Sequence, residues 1–130
     1  MNSSKTKKSA LWGLVLLICA IGVALAQSDP ASQPPADISG HWSIYARNPD
    51  GRTDTKTVDI TQNGNQLTGK FKGPNQSGKI QGTVNGNHVV FSTKTREVVT
   101  FRGNVEGNTI RGHFGIRGRH GEFEANRLNP

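Results

Sequence analysis

Cysteine is almost absent from this chain: the single one, Cys19, lies in an apolar run near the start. No intramolecular disulfide can form, so a folded domain here must be held by packing and hydrogen bonds. Aromatics make up only 6% of the residues, so large side chains must be placed economically. No Gly-x-Ser-x-Gly elbow, phosphate-binding loop or His-Glu-x-x-His helix is present, which removes the commonest hydrolase, nucleotide-binding and zinc-protease chemistries. The nine acids are scattered and suggest no carboxylate dyad, so neither a catalytic residue nor a cofactor is expected. The histidines are His41, His88, His113 and His120. Strand parity turns the first three outward and leaves His120 in a turn. His113 and His120 flank one hairpin, but no carboxylate or cysteine joins them, so no metal site is expected.

Long apolar runs are also missing, with one exception. Lys5, Lys7 and Lys8 precede an uninterrupted apolar stretch from Leu11 to Ala26, which ends in Ala24-Leu25-Ala26. A basic start, an apolar middle and small residues at the cleavage positions form the pattern of a secretory signal peptide. The run is shorter than the ~20 residues a spanning helix requires, so no transmembrane span is expected after cleavage. Ile18, not a small residue, precedes Cys19, which argues against a lipoprotein. The expected organisation is a signal peptide over 1–26, a Pro-rich linker over 27–37 and one domain over 38–130. Export to the periplasm or the extracellular space follows. Removing Lys5, Lys7 and Lys8 from the 16 basic residues leaves 13 against nine acids, a net charge of +4. The linker holds Pro30, Pro34 and Pro35 among Ser, Gln and Ala and reads as an extended spacer that buries nothing.

From Asp37 onward glycine is dense and apolar residues alternate. One unit recurs three times, centred on Asn63-Gly64-Asn65, Asn85-Gly86-Asn87 and Glu106-Gly107-Asn108. Each turn is flanked by two alternating arms. Asn-Gly readily adopts the positive φ of tight hairpins, and a period of two turns one face inward. Further arms carry Trp42 and Ile44 at the start and Phe123 and Ala125 at the end. Loops are expected at 47–53, 73–77 and 117–121, where Pro and Gly punctuate the chain. Eight short strands joined by hairpins predict an all-β, eight-stranded antiparallel up-and-down β-barrel, a meander; a two-sheet sandwich is the alternative. The inward set is Trp42, Ile44, Val58, Ile60, Leu67, Phe71, Ile80, Val84, Val89, Phe91, Val99, Phe101, Val105, Ile110, Phe114 and Phe123. Gly69, Gly82, Gly103 and Gly112 share that parity, either as room for a ligand or, the favoured reading, as points of sharp strand curvature.

Gly40-His41-Trp42 resembles the G-x-W signature of the calycin barrels, the lipocalin and avidin superfamily. Ile38-Ser39-Gly40-His41-Trp42 is similar to the opening of avidin-type domains, and Asn65 to Phe71 is similar to their third strand. The resemblance covers roughly Ile38 to Leu128. It implies a barrel closed at one end by Trp42, with a basic side chain from the last strand, Arg127 by parity, lying across the indole. It does not imply biotin binding. Ile44 stands where a first-strand amide would be, Phe71 stands where a tyrosine hydroxyl would be, and Trp42 is the only tryptophan after the signal region.

The expected function is therefore binding without catalysis. A small apolar molecule could meet an interior lined by Ile44, Phe71, Phe91, Phe101 and Phe114, or a secreted or envelope partner could meet the loops. An inhibitory or structural partner of another secreted protein is the alternative, and a small barrel enzyme is less favoured. Arg111, Arg117 and Arg119 form the most basic tract, a candidate anion-contacting surface. Aromatics interleaved for base stacking are missing there, so no nucleic-acid partner is expected.

Overall fold

A computed structural model describes residues 33–129; the signal-peptide expectation, over 1–26, lies outside the described residues. The chain forms eight strands: β1 (Gly40–Arg47), β2 (Thr53–Asn63), β3 (Gln66–Lys72), β4 (Ser77–Asn85), β5 (His88–Lys94), β6 (Val99–Glu106), β7 (Thr109–Ile116) and β8 (Arg119–Leu128). Each pairs antiparallel with its sequence neighbour, and β1 also pairs with β8, which closes the barrel. Closure leaves no free strand edge, so a small domain without disulfides needs no edge protection. The alternating arms dictate the interior. All sixteen residues assigned inward by parity are buried, together with Ile38, Ala46 and Ala125.

Three tight turns lie at one end. Gly64, Gly86 and Gly107 have φ of +63°, +57° and +63°, and the asparagines that follow do not share the positive φ. Glycine alone takes the left-handed position, the pattern of a type II′ hairpin, in which the first central residue must be glycine. Those asparagines then stitch each hairpin to the next. The carbonyls of Asn65, Asn87 and Asn108 accept the amide N–H groups of Val84, Val105 and Arg127 at 2.9, 2.8 and 2.9 Å. The repeated sequence unit is thus a repeated hydrogen-bonding unit.

The inward glycines mark close backbone approach. A Cβ at Gly69 would fall on the Asp59 carbonyl oxygen, and one at Gly112 on that of Arg102. Space for a ligand is not what these glycines provide; they let neighbouring strands coil past each other.

The last residues of the proline-rich segment do more than span. The Ala36 N–H donates to the Gly86 carbonyl at 2.9 Å, and the Gln62 side chain bridges the Ala36 carbonyl and the Ile38 N–H at 2.9 and 2.8 Å. Ala36 packs on the core and Ile38 is fully buried. Residues 36–38 therefore lie across the tight-turn end, so that Ala36 and Asp37, the last two residues of the expected 27–37 spacer, are held by the barrel. Composition alone conceals this, because the anchoring groups are backbone atoms.

Candidate functional site

The two ends of the barrel are built differently. At the tight-turn end Trp42 is fully buried, and its Nε1–H donates to the Ile38 carbonyl at 2.9 Å. Trp42 stands opposite Arg127 in the β1–β8 register, and the Arg127 Cζ lies 4.5 Å from the centroid of the indole ring. The guanidinium also donates to the carbonyls of Ser39 and Asp37 and to the Asn108 side chain. Stacking and five-donor geometry together suit arginine to this position. This end is plugged.

The middle is occupied by phenylalanine. Phe101 stacks on Phe91 (centroids 4.9 Å apart, 20° between planes) and meets Phe123 edge-on at 5.1 Å. Phe114 and Phe71 lie tilted at 5.8 and 6.3 Å. Offset and edge-to-face contacts of this kind favour a tight cluster. Of the five interior residues expected to face a ligand, Phe91 and Phe101 are engaged in this packed column and Ile44 is fully buried in the core, while Phe71 and Phe114 also reach a cavity beyond it.

That cavity opens at the other end, where the connections 48–52, 73–76, 95–98 and 117–118 gather. Its volume is about 450 Å³, and its wall includes Asp54, Lys56, Phe71, Val99, Phe114 and Ile116, with Gln76, Arg96 and Glu97 at the rim. The rim is fastened. The Gln76 side chain donates to the Glu97 carbonyl at 2.8 Å and accepts from the Glu97 N–H at 3.2 Å. The Arg117 Nη2 reaches the Glu97 carboxylate at 2.6 Å. Thr93 is buried and accepts the Val99 N–H at 3.0 Å, which sets the start of β6.

Lys56 is the unusual member. It shares parity with Val58 and Ile60, stands opposite Ile44, and its side chain is only 9% exposed. Its ammonium contacts the Asp54 carboxylate, whose other oxygen accepts from Asn48 Nδ2 at 3.0 Å. The amine also sits 6.0 Å from the centre of the Phe114 ring. Among the described residues, no buried side-chain nitrogen or oxygen lacks a partner. Burying an ammonium costs several kcal/mol, and a buried ion pair is often no more stable than an apolar pair of the same volume. Stability alone therefore does not explain a lysine in an aliphatic row. In the wall of a mouth that mixes apolar and polar side chains, an ammonium can hold an anionic group only by sharing its donors with Asp54.

Sequence reasoning passed over Lys56, although the signal was present. The run Asp54-Thr55-Lys56-Thr57-Val58-Asp59-Ile60 alternates strictly, and the parity that turns Val58 inward turns Lys56 inward too.

Arg111, Arg117 and Arg119 are not brought together. Arg111 lies mid-barrel on the outer face, bonded through Nε to Glu124 at 2.9 Å and approached by Glu106 at 3.4 Å. Its hydrogen bond, followed by that of Asn126, holds the Glu124 carboxyl below the usual range, and the Arg111 pKa is raised in return. Arg117 is tied to Glu97 on the rim, and Arg119 starts β8 opposite Ile116. His120 lies on β8 rather than in a turn. Among the described residues no three His, Cys, Asp or Glu side chains converge as metal ligands would. Comparison with protein-family models and with curated proteins finds no match to this chain.

Proposed function

We propose that this is an exported, non-enzymatic binding protein on a calycin-like barrel, and that it takes a small amphipathic molecule into the open mouth. The apolar part of the ligand would lie on Phe71, Val99, Phe114 and Ile116, and an anionic group would meet Lys56. The observation that carries the reading is the buried Lys56 ammonium in the wall of a cavity of about 450 Å³ that mixes Phe71, Val99, Phe114 and Ile116 with polar side chains, a size within the common range for small-molecule sites. Arg96 on the rim has no ion-pair partner among the described residues, whereas the two carboxylates of the lining, Asp54 and Glu97, are engaged by Lys56 and Arg117. The calycin-like part rests on the closed eight-stranded meander, the Gly40-His41-Trp42 opening and the Arg127–Trp42 contact. Export rests on the basic, apolar and small-residue pattern before Gln27.

Native mass spectrometry of the protein recovered from the export compartment tests the reading. One small-molecule adduct per barrel is expected, and Lys56→Met should abolish it. A bare wild-type barrel, or a co-purifying protein in place of a small molecule, would favour the inhibitory or structural alternative.

A further inference from the structure

The outer face of β3, β4 and β5 carries a row of lysines made visible only by strand register. Lys70 pairs with Lys79 across β3–β4, and Lys79 pairs with Lys94 across β4–β5. All three are exposed, and Lys72, one alternation along β3, is exposed beside them. Neighbouring strands are about 4.8 Å apart, and like charges set directly opposite destabilise a sheet. Elsewhere Arg111 pairs with Glu124 and Glu106, Arg117 with Glu97 and Arg52 with Asp50; among the described residues the exposed Arg47, Arg96, Arg102 and Arg119 have no ion pair, but none of these lies in a row of directly opposed cations. Among the described residues none of these four lysines has an acid within ion-pair distance; Asp59, the acid at the end of the row, is engaged by His41. The row lines a groove of about 730 Å³ whose walls also include Thr61, Thr68, Gln81, Gly69 and Ile80, with the Asp59 carboxylate at the Lys70 end.

We propose that this groove binds a linear acidic polysaccharide, with its carboxylates on Lys70, Lys79 and Lys94 and its hydroxyls on the flanking Thr and Gln side chains. Charge complementarity supplies the attraction, and the regular spacing of one cation per strand suits a chain laid across the strands. The face offers little to other polyanions. The exposed large apolar residues among those described are Tyr45, Val98 and Leu128, none of them on β2 to β5, so nothing there stacks on bases or enters a bilayer. The site is separate from the barrel mouth and does not depend on it.

Isothermal titration of the purified protein with polygalacturonate tests this, alongside neutral dextran, poly(dT) and phosphatidylglycerol vesicles. Polygalacturonate should bind, and its affinity should fall as salt is raised. The triple variant Lys70→Gln/Lys79→Gln/Lys94→Gln should weaken it by about tenfold or more through loss of local charge, while Arg111→Gln leaves it within about twofold because that charge is already paired. The triple variant should also melt no lower than wild type, since removing the repulsion relieves the sheet; if it does not fold, Lys79→Gln alone, the centre of the row, carries the same test. Failure of polygalacturonate to bind, retention of full affinity by the lysine variants, or tighter binding to poly(dT) or vesicles would overturn the assignment.

Discussion

Replacing Trp42 with alanine would remove the plug from the tight-turn end. The indole is fully buried, and an aromatic of this size takes about 150–250 Å² out of water. At about 25 cal/mol per Å² the loss is roughly 4–6 kcal/mol, close to the ~3–5 kcal/mol typical of large aromatic truncations. The same change leaves the Ile38 carbonyl without its donor and the Arg127 guanidinium without its ring. Domains of this size commonly have about 5–15 kcal/mol in total, so the variant should be marginal or unfolded. Trp42→Phe separates the contributions: most of the packing stays, and only the N–H···O bond is lost, for about 1–3 kcal/mol. Urea unfolding followed by far-ultraviolet circular dichroism reads both, without relying on the tryptophan that is removed. A loss below about 1 kcal/mol for Trp42→Ala, against the cost expected of a large buried aromatic, would mean that Trp42 does not close the barrel.

Three further outcomes follow from the same structure. Lys56→Met should be neutral or stabilising, whereas Asp54→Ala should destabilise by about 3 kcal/mol because it leaves a buried ammonium alone; chemical denaturation of the two variants side by side decides this. Gly64→Val should cost at least about 1 kcal/mol, because a β-branched residue resists the φ of +63° found there, and an unchanged melting temperature would refute the turn geometry. The carboxyl pKa values of Asp37 and Glu124 are lowered, the first mainly by the Ser39 side chain and the second mainly by Arg111. Groups depressed in the folded state stabilise it above their unfolded values, ordinarily 3.8 and 4.5, and that contribution is lost as pH falls through the folded ones. The urea midpoint should therefore drop below about pH 4.5, less steeply in Glu124→Gln.

Period-two alternation sufficed for the barrel. Residues such as Val58, Phe101 and Ile110 announce their face by their neighbours two positions away, and three Gly-Asn turns announce the ends of the hairpins. The same parity brought Trp42 opposite Arg127, because the first and last strands of a closed meander must meet. Lys56 obeys that rule equally, but a charge in an alternating strand reads as solvent-facing until its half-buried companion Asp54 is recognised as its partner. The lysine row was illegible for a different reason. Lys70, Lys79 and Lys94 are separated by nine and fifteen positions in the chain, and only the offset of each pairing sets them side by side. Arg111, Arg117 and Arg119 cluster in sequence yet are engaged apart, since Arg111 is claimed by acids on the neighbouring strands and Arg117, in the hairpin turn, by Glu97 of the 95–98 connection.

The central claim is that Lys56 gives the barrel mouth a preference for an apolar molecule bearing an anionic group. Parallel fluorescence titrations with 1-anilinonaphthalene-8-sulfonate and neutral N-phenyl-1-naphthylamine measure that preference directly, since the two dyes share a ring system and differ in charge. Wild type should bind the sulfonate about tenfold or more tightly than the neutral dye, because a hydrogen bond to a charged group is worth about 1.5–3 kcal/mol. Lys56→Met should erase the difference while still binding the neutral dye. Equal affinities in wild type, or a sulfonate preference that survives Lys56→Met, would contradict the account.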